Sequence, residues 1–117
     1  MWEGVIHLYG ITNCDTVRKA RKHLEQHAIP YCFHDFRKEG IDQERLTAWV
    51  EELGWEALLN RRGRSWRMLP EAQREDLDRE RAIALMLANP TLIRRPVIET
   101  ADQVAVGLDA LPELVHG

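Results

Sequence analysis

The sequence predicts an α/β domain in which a mixed four-stranded sheet carries a helical insertion between its second and third strands. Three observations predict it. A short apolar run, Val5 to Tyr9, is followed by a stretch of helical period and then by an aromatic-rich run, Tyr31 to Phe36. Strand, helix, strand in that order is the pattern of a parallel pair. Near the C-terminus, Val97 to Glu99 and Val104 to Val106 are short β-type runs separated by Thr100 to Gln103, a spacing that suits an antiparallel hairpin.

The elements follow in order. Val5 to Tyr9 is apolar and ends at Gly10, as a strand leaving a buried sheet does. Thr12 to Thr16 supplies possible helix caps. Val17, Ala20, Leu24 and Ala28 then recur at steps of three or four, marking the apolar face of a helix that Pro30 stops. Tyr31 to Phe36 reads as the second strand. Asp42 caps a further helix with Leu46, Trp49, Val50 and Leu53 as its stripe and Gly54 as its end. Trp55 to Asn60 adds a turn or two, and the arginines after it open a loop. Another helix runs from Asp78 to Ala88, with Ile83, Met86 and Leu87 inward, and stops at Asn89-Pro90. Leu108, Leu111, Leu114 and Val115 predict a closing helix after the hairpin.

The chain has 117 residues, 44% hydrophobic and 30% charged, which suits one domain over 1–117. No run approaches the roughly 20 apolar residues that span a bilayer, so no membrane association is expected. Met1-Trp2-Glu3-Gly4 lacks the basic start and apolar run of a secretory signal. Two cysteines are too few for a disulfide scaffold and predict a reducing, cytoplasmic setting. The net charge of −3 argues against direct nucleic-acid binding. Locally the balance is uneven. Arg61, Arg62, Arg64 and Arg67 crowd one segment, Arg94-Arg95 forms a pair, and Glu71 to Glu80 is acid-rich.

Cys14 is the informative residue. It stands where the first strand gives way to the first helix, among unpaired backbone N–H groups and the positive end of the helix dipole. Both favour the thiolate, which is the nucleophile. Arg18 and Lys19 add positive charge, and Asp15 opposes it. A lowered pKa is therefore expected. The polar neighbours Asn13, Asp15 and Thr16 set Cys14 apart from a core cysteine. Val17 stands three positions on, so there is no C-x-x-C pair. An external thiol, glutathione or a partner protein, would have to resolve any adduct on Cys14. Cys32, mid-strand between Tyr31 and Phe33, reads as a packed structural cysteine. None of the five histidines stands at metal-ligand spacing from a cysteine, so no metal site and no bound cofactor is predicted. An anionic substrate would need guanidinium groups to grip its oxygens, and the arginine-rich segment and Arg95 are the candidates.

The stretch Tyr9-Gly10-Ile11-Thr12-Asn13-Cys14-Asp15-Thr16-Val17-Arg18-Lys19-Ala20 resembles the start of the ArsC/Spx family, in its YffB-like branch. The resemblance continues through His34-Asp35-Phe36-Arg37, Leu53 to Asn60, Arg62-Gly63, Trp66-Arg67 and Ile93-Arg94-Arg95-Pro96. It implies a thioredoxin-like fold with a helical insertion and a nucleophilic cysteine, Cys14. It implies that Arg95 and Arg62 bind a small anionic substrate. Pro96 is implied to be cis and to shape the pocket with Asn13 and Thr16. Glutaredoxin-linked arsenate reductases of the family carry His-Asn-Pro before the cysteine, where Gly10-Ile11-Thr12 stand here. They carry a serine where Val17 stands, and an arginine near the last strand that Val104 to Gly107 does not supply. Spx-type regulators, which bind RNA polymerase, sense redox state through the C-x-x-C pair that Val17 removes. The resemblance therefore implies a thiol oxidoreductase, with glutathione or a glutaredoxin-like protein as reductant. The alternatives are a true arsenate reductase and a non-catalytic adapter that binds a protein such as RNA polymerase.

Overall fold

The computed structural model describes residues 5–110. Strand β1 (Ile6–Gly10) is followed by helix α1 (Asp15–Gln26) and strand β2 (Tyr31–Asp35). The two strands pair in parallel, with Ile6 opposite Tyr31 and Gly10 opposite Asp35. Strand β3 (Val97–Glu99) lies antiparallel to β1, and β4 (Val104–Val106) antiparallel to β3. The sheet order is β2-β1-β3-β4, and the whole is a thioredoxin-like α/β fold. The two late strands occupy the ranges that their β-type runs predict.

Helix α1 buries Val17, Ala20 and Leu24, but it ends earlier than its apolar period implies. Ala28 turns left-handed with φ 53°, and the N–H of Ile29 returns to the Leu24 carbonyl at 2.9 Å. The chain thus reverses before Pro30 is reached. Ala28 is exposed, and Ile29 packs on the apolar face in its place. Strand β2 also stops one residue short of the sequence expectation. Asp35, the last residue in the ladder, caps helix α2 (Phe36–Glu39), accepting the Arg37 N–H at 2.8 Å.

The insertion continues with α3 (Gln43–Leu53), capped by Asp42 and ended by Gly54 at φ 87°, as its sequence signals predict. A single turn, α4 (Trp55–Leu58), follows. The arginine-rich segment is not all loop, because Arg64–Arg67 winds into the short helix α5 from Gly63. The acidic stretch begins with another turn, α6 (Glu71–Arg74), before α7 (Arg79–Ala88) starts on an Asp78 cap. A 3₁₀ turn spans Pro90–Leu92. After β4, Leu108–Ala110 forms a second 3₁₀ turn. Leu111, Leu114 and Val115, the rest of the expected closing helix, lie outside the described residues.

Alternation along β1 divides the interior. Ile6 and Leu8 face α1 and pack with Ala20, Leu24 and Ile98. Tyr9 faces the insertion, where Phe36, Leu46, Trp49, Leu58, Met86, Leu92 and Ile93 fill the larger core. On that side Glu99 ties sheet to helix. Its carboxylate accepts from Trp49 Nε1 at 3.0 Å, from Tyr9 Oη at 3.3 Å and from Arg45. Burial, and then the Glu99 charge, pushes the Tyr9 phenol well above its ordinary pKa.

Candidate active site

Gly10 sets the geometry of the turn that carries Cys14. It is the last residue of β1. A Cβ on Gly10 would lie 2.5 Å from Val17 Cγ2. Only a residue without that atom lets the first turn of α1 close on the strand end. The loop between them is pinned by Thr12, whose hydroxyl donates to the Asp35 carboxylate. That hydrogen bond is the main reason the buried Asp35 titrates below its ordinary range; the Arg37 and Lys38 N–H groups add to it against the cost of burial.

Cys14 is the N-cap residue of α1, with extended backbone at φ −119° and ψ 123°. The residue is half-buried, neither sealed in nor fully exposed. Burial alone would raise the thiol pKa, but the opposing effects win, and the group titrates below its ordinary value. They are the Val17 N–H, the Arg95 guanidinium through both hydrogen bonding and charge, and the Thr16 N–H. The sulfur closes no capping hydrogen bond of ordinary geometry, so the two amides act on it as oriented dipoles at the helix start. Arg95, rather than a residue near in sequence such as Arg18, is the cation that acts most on the sulfur. Arg18 pairs with Asp15 in an exposed contact, and the cation facing the sulfur comes from the far end of the chain.

Arg95 is held for that task. Its guanidinium donates to the Thr91 carbonyl at 2.9 Å, and Thr91 Oγ1 in turn lies 2.8 Å from Ser65 Oγ. The Arg95–Pro96 peptide is cis, as the resemblance implies, and Pro96 is buried. Gly107, at φ 101°, donates its N–H to the Pro96 carbonyl at 2.9 Å. Cys14, Thr16 and Arg95 are therefore brought together.

Asn13 lies exposed beside Cys14. Arg62 is also exposed, and among the described residues its guanidinium makes no hydrogen bond or ion pair. Its backbone is nevertheless ordered: its N–H reaches Asn60 Oδ1 at 3.0 Å, and its carbonyl accepts from Arg67. The base of this loop is latched to the segment that leads to Arg95. Asn60 N–H bonds the Leu92 carbonyl at 2.8 Å, and Arg94 N–H bonds the Leu58 carbonyl at 2.7 Å.

Thr12 and Thr91 are positioning residues that sequence reasoning passes over, since a threonine in a loop carries no pattern. Cys32 corrects another expectation. It is exposed at the edge strand rather than packed, and it stands beside His7 and His34.

Fold and site together define a thioredoxin-like protein with one half-buried, cation-facing cysteine at a helix start. Residues 9–111 match the ArsC family, and the chain belongs to it. An uncharacterized protein of Haemophilus influenzae is 41% identical over 90% of this chain and 92% of its own length. A solved YffB protein superimposes with a TM-score of 0.88 at 48% identity, over 93% of this chain and 97% of its own. An arsenate reductase (ArsC) related protein from Brucella melitensis gives 0.75 at 46% identity, over 92% and 89% respectively. The global transcriptional regulator Spx of Listeria innocua is 29% identical over 88% of this chain and 79% of its own. Among the described residues no helix is long and apolar enough to cross a membrane.

Proposed function

We propose that this chain is a glutathione-dependent thiol oxidoreductase in which Cys14 is the nucleophile. The observation that carries the reading is the Arg95 guanidinium facing the sulfur of the half-buried Cys14 at the start of α1. The Cys14 thiolate attacks the glutathione sulfur of a mixed disulfide. The old S–S bond breaks, the substrate leaves as a thiolate that takes up a proton, and Cys14 carries glutathione. A second glutathione thiolate attacks that sulfur, releasing oxidised glutathione and regenerating the Cys14 thiolate. The mixed disulfide and one glutathione thiol thus give the substrate thiol and oxidised glutathione, so no second protein thiol is needed. Arg95 holds a carboxylate or other anionic group near the sulfur, and Arg62, whose guanidinium makes no hydrogen bond or ion pair among the described residues, supplies a second grip on the anion. Reduction takes place in a cytoplasmic setting, and a glutaredoxin-like protein can stand in for the second glutathione.

A second reading is favoured by the Spx relatives: a non-catalytic adapter that binds a protein such as RNA polymerase. The two separate on one substitution. Under the oxidoreductase reading, Cys14→Ser abolishes glutathione-linked turnover, and mass spectrometry of the mildly oxidised protein finds glutathione on Cys14. Alkylation of Cys14 then rises at a pH below the free-thiol value of about 8.5. Arg95→Gln shifts that midpoint upward and lowers kcat/KM by about 100-fold, as loss of one charged donor at a reacting centre does. A midpoint at the free-thiol value, no adduct, and partner capture indifferent to Cys14→Ser would establish the adapter.

A further inference from the structure

The parallel register of β1 and β2 assembles a second chemical grouping on the face opposite α1. His7 and Cys32 are direct strand partners, and His34 lies two residues along β2 on the same side. One imidazole nitrogen from each histidine and the Cys32 sulfur all lie within 4.8 Å of one another. We propose that His7, Cys32 and His34 form a binding site for a thiophilic divalent transition-metal ion, with Zn²⁺ as its foremost occupant.

Several features of the grouping point to a metal. One thiolate and two imidazoles are a donor set for zinc and its neighbours, whereas magnesium and calcium require oxygen. His7 Nδ1 and His34 Nε2 are 2.9 Å apart. Two nitrogens on a tetrahedral ion, each bonded at about 2.0–2.1 Å, stand about 3.3 Å apart. The rings thus need to separate by only a few tenths of an ångström.

The other nitrogen of His34 is already engaged as a ligand's would be. His34 Nδ1 lies 3.1 Å from Glu39 Oε1, the carboxylate support common behind metal-bound histidine. With Nδ1–H donating to Glu39, the Nε2 lone pair faces His7. The His34 ring is further fixed by stacking on Tyr9 at 4.5 Å. All three donors sit on paired strands rather than on loops, which limits the rearrangement that binding requires.

The proton balance is simple. On binding, the Cys32 thiol releases its proton to solvent. His7 carries its proton on Nε2, so that Nδ1 donates a lone pair to the ion. No electron is transferred. Cys32 is exposed, so water can supply the fourth ligand. The site spans β1 and the edge strand β2, and Cys14 supplies none of its donors.

Cobalt is the probe, since Co²⁺ occupies zinc sites and reports a bound thiolate by its charge-transfer absorption. Untagged full-length chain, kept reduced with a phosphine, is titrated with Co²⁺ and then with Zn²⁺. The expected result is a thiolate–cobalt band that saturates at one equivalent per chain and bleaches when Zn²⁺ displaces the cobalt. Cys14→Ser leaves the band intact, whereas Cys32→Ser removes it. Glu39→Gln weakens cobalt binding about 10-fold or more, as loss of a supporting carboxylate does. His34→Ala weakens it further. Cys32 is exposed, so its serine variant keeps the fold, and circular dichroism verifies this. Absence of the band, a band that survives Cys32→Ser, a band that depends on Cys14, or saturation at half an equivalent would each overturn the proposal.

Discussion

Asp35 is a buried carboxylate that does two jobs, capping α2 and holding Thr12 in the loop before Cys14. Its pKa is depressed in the folded protein, so its ionised form stabilises the fold at neutral pH. That stability is complete above the ordinary aspartate value of 3.8 and is lost as pH falls through the lower, folded value. Thr12→Val is therefore expected to cost about 1–2 kcal/mol at neutral pH and to flatten the acid limb of a stability-against-pH curve. Urea midpoints from pH 7 downward measure both. Residues of this kind define the limit of sequence reading. Cys14 was legible because a cysteine at a strand–helix junction carries recognisable chemistry, whereas the roles of Arg95 and Pro96 came from the family resemblance. Thr12 and Thr91 act through one hydrogen bond each, to residues distant in sequence, and nothing local announces that. Arg18 shows the reverse error, since nearness in sequence implied a role that its pairing with Asp15 takes away.

At the scale of elements, β1 and α1 meet through the contact between Gly10 and Val17. Gly10→Ala forces a methyl group against Val17 and is expected to cost about 1–3 kcal/mol. Val17→Ala opens space at the same point, so the double variant should cost less than the sum of the two single ones. A urea-denaturation cycle on the four proteins gives the coupling. Alkylation of Cys14 should slow in Gly10→Ala, because the helix start that carries the sulfur is displaced. The strands and the long helices were readable, since caps at Asp42 and Asp78 and stops at Gly54 and Asn89 act locally. The short turns over 64–67 and 71–74 were not. One turn of helix has no apolar period to detect. The turn over 64–67 is held from a distant segment, by Ser65 on Thr91. The grouping of His7, Cys32 and His34 was hidden for a related reason. It depends on strand register, and in the linear sequence Cys32-x-His34 is too short a pattern to signal a ligand set.

In the whole molecule, the sheet separates a small core under α1 from a larger one under the insertion, and Cys14 packs against the larger. Trp49 is the largest fully buried side chain there and also donates to Glu99. Trp49→Ala is expected to cost about 3–5 kcal/mol. In both proteins, the denaturant midpoint for exposure of Cys14 should coincide with that for loss of helix, as a single cooperative unit requires. Circular dichroism and thiol labelling on the same samples give the two curves. The α/β class, the order of elements and the insertion were legible because each follows from the order of periodic segments. The pairing of β3 with β1 was not, since nothing local in either strand specifies it. The convergence of Arg95 on Cys14 was available only through family resemblance.

That convergence has a consequence for the newly made chain. The helix start carrying the sulfur leaves the ribosome early, while the guanidinium that helps tune it is still untranslated. A nascent chain therefore bears a cysteine that lacks the Arg95 contribution. Its full acidity arrives only when the segment ahead of the last hairpin docks beside the first helix, so full reactivity reports that this late segment has folded into place.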